Sequence, residues 1–107
     1  MNNRNQAYQK SENDCARLYG KRVRLSGAGV DKLDVDGQGS YDRFKFDNKY
    51  TEKASYSINI KEWEKLIRQA KLSGKEFIGR IDFANGLKLI CMEERTFLNN
   101  FDDKEDA

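Results

Sequence analysis

The chain has no histidine. That absence removes Ser-His-Asp and Cys-His nucleophilic catalysis and argues against a zinc site, but it leaves carboxylate sites for hard metals open. Cysteine is scarce as well. Cys15 and Cys91 stand far apart, with neither CxxC nor zinc-type spacing, and they read as two free buried thiols in a reducing compartment. No run approaches the roughly 20 apolar residues of a membrane span, and the N-terminal residues lack the apolar core of a signal peptide. The expectation is a cytoplasmic protein with no membrane partner.

A length of 107 residues fits one small domain. Apolar residues make up 37% and charged residues 36%, which is polar for a folded protein. Phe, Tyr, Ile and Leu nevertheless recur in periodic runs, so a modest core is expected. The formal net charge is only +2, but it is unevenly spread. Of 20 basic and 18 acidic residues, one and four fall in the last nine positions, leaving 19 and 14 in residues 1–98, a balance of +5. That excess favours a polyanionic partner. Residues 1–98 read as the domain and residues 99–107 as an acidic, flexible tail.

Periodicity predicts the order helix, three strands, helix, two strands, helix. Ala7, Tyr8, Cys15, Ala16 and Leu18 can share the apolar face of a helix from about Gln6 to Leu18, which Gly20 ends. Lys21 to Leu25, Leu33 to Asp36 and Arg43 to Tyr50 read as strands, separated by Ser26-Gly27-Ala28-Gly29 and by Gly37-Gln38-Gly39-Ser40. Ser57 or Asn59 can cap a helix to about Leu72, and Gly74 is its natural stop. Phe77–Phe83 and Leu87–Met92 form two strands around the hairpin signal Asn85-Gly86. Glu93–Asn100 reads as a short terminal helix.

Chemistry concentrates in Phe44-Lys45-Phe46-Asp47-Asn48-Lys49-Tyr50. Strand alternation puts Phe44, Phe46, Asn48 and Tyr50 on one face, with Lys45, Asp47 and Lys49 on the other. Asp47 and a second carboxylate, Asp34, could hold magnesium, which takes oxygen ligands and typically one or two carboxylates. Lys49 could orient or deprotonate a water, or neutralise developing charge. The bland alternative is a charge pair on the exposed face of an amphipathic strand. Arg17, Lys21, Arg22 and Arg24, with no acid between Asp14 and Asp31, lead into the small-residue loop at Ser26. They fit either phosphate contact or protection of an edge strand. Trp63 reads as core, and Glu12 alone as a solvated helix residue.

Taken in order, Lys10-Ser11-Glu12, the Gly20–Gly29 segment, Leu33-Asp34-Val35 and Phe46-Asp47-Asn48-Lys49-Tyr50-Thr51 resemble the small phage and archaeal-type Holliday-junction resolvases. These belong to the PD-(D/E)xK nuclease superfamily, and the resemblance spans roughly Gln9 to Leu98. It implies an α/β, restriction-endonuclease-like fold with a mixed central sheet flanked by helices. It also implies metal-dependent hydrolysis of branched DNA by a homodimer, in the host cytoplasm if phage-encoded. On this resemblance Glu12, Asp34, Asp47 and Lys49 are the catalytic set. Asp34, Asp47, Glu12 and the Asn48 carbonyl are the ligands of Mg2+, with Mn2+ as a substitute. Arg17, Lys21, Arg22, Arg24 and Ser26 are the DNA contacts. Two departures stand out: Leu33 where the pattern has proline, and Asp47 where glutamate is usual. A different DNA nuclease on the same fold, a non-catalytic DNA-binding protein and a structural protein without a nucleic-acid partner are the alternatives.

Overall fold

The computed structural model describes residues 3–23 and 33–101; Arg24, Ser26 and the tail from Asp102 lie outside them. Within these residues the chain is α/β, a five-stranded mixed sheet with three helices. In chain order the elements are α1 (Asn3–Tyr19), β1 (Gly20–Arg22), β2 (Val35–Gly37), a 3-10 turn at Gly39–Tyr41, β3 (Phe44–Thr51), α2 (Ile60–Leu72), β4 (Glu76–Phe83), β5 (Lys88–Cys91) and α3 (Glu94–Phe101). The expected order of helices and strands is observed. α3 continues through Phe101, past the boundary expected at residue 98, because the Phe101 ring stacks on Phe44 at 5.9 Å.

Strands follow one another across the sheet, β1-β2-β3-β4-β5. All neighbours are antiparallel except β3 and β4, which run parallel in register from Phe44↔Glu76 to Thr51↔Phe83. A parallel pair needs a crossover, and α2 supplies it. Its start is fixed by Asn59, whose side-chain oxygen accepts the Glu62 N–H at 3.0 Å, so Asn59 rather than Ser57 is the cap. Its end closes with Lys75 N–H on the Ala70 carbonyl and Gly74 N–H on the Lys71 carbonyl, both 2.9 Å. That pair of hydrogen bonds is a Schellman motif, and it requires the left-handed Gly74 at φ +72°. Gly86, at φ +104°, likewise turns the β4–β5 hairpin.

Two apolar cores lie on opposite sides of the sheet. On the α1 side, Cys15 packs with Val35, Phe44, Phe46 and Ile78. On the α2 side, Trp63, Leu66 and Ala70 pack with Leu33 and Phe77. Each fully buried Phe or Leu stabilises the fold by about 1.5–3 kcal/mol relative to exposure. Trp63 is core, as expected, and lies so close over Gly79 that a Cβ there would meet its Cη2 at 2.5 Å. The face of α1 differs from expectation: Leu18 is 48% exposed and Ser11 is buried. Ala7, Ser11 and Cys15 recur every fourth residue, so the sheet-facing stripe of α1 is narrow and partly polar. Among the described residues, no helix is long and apolar enough to cross a membrane.

Candidate metal centre

β3 is the strand from which the site is built. Its alternation holds: Phe44 and Phe46 enter the α1-side core, whereas Lys49 pairs with Glu62 of α2 at 3.9 Å. Asp47 points the same way as Lys49, and their ion pair spans 3.1 Å. Asp47 is only 3% exposed, so the alternative of a solvated charge pair does not describe it.

Asp34 reaches the same place by alternation: Val35 pairs with Phe46 and packs on the α1 side, so the residue before it faces the α2 side, as Asp47 does. Leu33 and Val35 would share one face of a regular strand, yet they enter cores on opposite sides of the sheet. The alternation therefore ends at Leu33, which precedes β2 and joins the α2-side core next to Asp34. Asp34 N–H donates to the Phe46 carbonyl at 2.9 Å, and its Oδ2 accepts the Asn48 N–H at 2.9 Å. The two aspartates are near enough for the charge of Asp47 to act on Asp34. An extended residue projects its N–H and C=O to the same side, so the Asn48 carbonyl opens toward Asp34 as well.

The electrostatics follow from this crowding. Burial, then the neighbouring Asp47 charge, push Asp34 up to about 7, against the lowering effect of the Asn48 N–H. Burial also raises Asp47, although Lys49 beside it acts in the opposite direction. Lys49 is pulled down by its own burial, but Asp47 and Glu62 outweigh that and hold it above the ordinary lysine value. Its resting form is the ammonium. Asp47 Oδ2 is buried and, despite the nearby Nζ, makes no hydrogen bond of acceptable geometry. Two crowded carboxyls with an unsatisfied oxygen fit a hard divalent cation, which would restore both to their charged form.

The remaining expected residues are placed differently. Glu12 is near enough to raise Asp34, but its Oε2 is taken by Arg22 at 2.6 Å. Among the described residues no group of three His, Cys, Asp or Glu side chains gathers as a metal cage. The structure therefore does not bring Glu12 together with Asp34 and Asp47 as a third ligand, because α1 and β1 meet through the Glu12–Arg22 pair. Arg22 also donates to Asn13. Exposed Arg17 lies 3.6 Å from Asp14, and Lys21 is exposed on β1.

Two groups escaped the sequence reading. The first is the mouth of the site, a cleft of about 330 Å³ lined by Asp47, Lys49, Lys61, Glu62, Lys65 and Leu66. The second is a buried network on the opposite face of β3. There Arg80 donates to Asn48 Oδ1 at 2.7 Å and to the Ser11 carbonyl at 3.2 Å. Asn48 Nδ2 donates to Ser11 Oγ at 2.8 Å, and Ser11 in turn donates to Asp82 at 2.7 Å. Lys88 lies 3.3 Å from Asp82. The available signal was Arg80 and Asp82, two charges that follow Glu76 and Ile78 on one face of β4. No family model, curated protein or solved structure matches this chain.

Proposed function

We propose that this chain is a metal-dependent endonuclease that hydrolyses phosphodiesters in branched DNA, a Holliday-junction resolvase of phage type on a restriction-endonuclease-like fold. The observation that carries the reading is the meeting of Asp34, just before β2, with Asp47 and Lys49 of β3 at one partly buried point. Asp34, Asp47 and the Asn48 carbonyl would hold Mg2+, or Mn2+ in its place. When bound, such an ion polarises a phosphoryl oxygen and lowers the pKa of a coordinated water.

The chain's own residues have narrower tasks. Asp34 is oriented by the Asn48 N–H and Asp47 by Lys49. Because Lys49 is held protonated, it serves to orient the attacking water and to neutralise charge in the transition state, rather than to remove a proton. Paired incisions in a two-fold junction are made most simply by a symmetric homodimer.

The test is incubation with a synthetic four-way junction, a flapped duplex and a linear duplex of the same sequence, with and without Mg2+. Symmetric magnesium-dependent nicks on the junction are expected. Asp34→Asn is expected to abolish them, and Lys49→Ala to slow them by about 10²–10³-fold. Cutting that prefers flaps or linear duplex would leave a nuclease with another substrate. DNA binding without any cutting, or cutting indifferent to both substitutions, would overturn the catalytic reading.

A further inference from the structure

The exposed side of α2 carries Lys61, Lys65 and Arg68 at i, i+4 and i+7, which is one helical face. At about 1.5 Å per residue the stripe covers roughly 10 Å of axis, close to the advance of three nucleotides at about 3.4 Å each. It starts at the site: Lys61 and Lys65 line the same cleft as Asp47 and Lys49. Glu62 turns toward Lys49, and Glu64, four residues before Arg68, borders the stripe on one side.

Lys61 adds a second argument. It occupies the first turn of α2, where the positive end of the helix dipole disfavours a cation, so local helix stability does not account for it. Arg17 and Arg22, two of the basic residues expected to touch phosphate, lie against Asp14 and Glu12. The α2 face, in contrast to these two, contributes residues to the lining of the cleft that holds Asp47 and Lys49.

We infer that the Lys61–Lys65–Arg68 face of α2 is the surface along which the sugar-phosphate backbone of a DNA arm lies as it enters the cleft. The inference rests on the nuclease reading for its partner and adds the direction of approach. These contacts position the backbone and read no bases.

The experiment compares wild type with the triple variant Lys61→Gln, Lys65→Gln, Arg68→Gln. Anisotropy of a labelled junction is followed between 50 and 200 mM NaCl in EDTA, so no turnover is needed. Glutamine keeps helix propensity, and far-ultraviolet circular dichroism verifies the fold. Each lost phosphate contact removes about 0.9 from the slope of log K against log salt, so a slope shallower by about 3 and at least tenfold weaker binding at 100 mM are expected. Unchanged slope and affinity in the variant would overturn the inference while leaving the nuclease reading untouched. Loss of binding in the variant with no magnesium-dependent cutting by wild type would do the reverse. A wild type that binds anionic phosphatidylserine vesicles but no DNA would overturn both.

Discussion

On the α1 side of β3, Asn48 sits in a network where Ser11, Arg80, Asp82 and Lys88 supply donors for acceptors and cations for the carboxylate. On the α2 side of the same strand, Asp47 faces a second carboxylate, and one of its buried oxygens has no hydrogen bond. Both clusters are polar and largely buried, and they differ in balance. The first is close to charge-complete, with Arg80 Nη2 its one unmatched buried atom; its work is to hold β4, β3 and α1 together. The second gathers like charges that repel, an arrangement that costs stability until a cation arrives. Buried polar groups of the two kinds should respond to mutation with opposite signs.

The largest effect is expected at Arg80, which is 1% exposed. Arg80→Met leaves Asn48 Oδ1 without its donor and takes a cation from Asp82, so urea unfolding should show a loss of about 3–5 kcal/mol. A loss below 1 kcal/mol would mean that the network is not structural.

Asp34→Asn should move the other way. Its amide oxygen can still accept the Asn48 N–H, while burial of a charge against Asp47 is relieved. A gain on the order of 2 kcal/mol is expected at pH 8 in the absence of divalent metal. The sign fixes the pH window. The folded-state value of Asp34, about 7, lies above its ordinary 3.8, so the native state binds more protons there. Its stabilising contribution is complete below about pH 4 and is lost as pH rises through about 7. The difference between variant and wild type should therefore be near zero at pH 4 and fully open above pH 7. Magnesium should close it again at pH 8. A difference independent of pH would contradict the crowded-carboxylate description.

A smaller loss, about 1–2 kcal/mol, is expected for Ser11→Ala, which removes one donor to Asp82 and one acceptor for Asn48 without removing a charge. Thermal denaturation should rank it below Arg80→Met and with the same sign. An Asp34-like gain at Ser11 would erase the distinction between the two faces.

Much of the architecture was legible in the sequence because local rules were unambiguous. The strict alternation of Phe44–Tyr50, the Asn85-Gly86 turn and the Asn59 and Gly74 boundaries of α2 each depend on neighbours a few residues away. The candidate site was legible only in part. Asp47 and Lys49 share a face by strand geometry alone, but the burial of Asp47 depends on α2 covering that face. The face of Asp34 follows from alternation with Val35, but its meeting with Asp47 depends on the pairing of β2 with β3, which no local pattern announces. Glu12 and Arg22 find each other across the α1–β1 turn, so neither the missing third ligand nor the neutralised arginine was visible in spacing. The basic face of α2 was present in the sequence at i, i+4 and i+7, but it was overshadowed by the apolar periodicity of the same helix.

Asn48 belongs to both faces at once: its side chain is gripped by Arg80 and Ser11, and its backbone N–H points at Asp34. An amide proton bonded directly to a carboxylate senses whether that carboxylate is charged, and this one is held still from behind. The Asn48 amide resonance is therefore a built-in reporter. Its chemical shift follows the protonation of Asp34, and titrating it with acid or with magnesium reads the state of the site without labelling or substituting any residue in it.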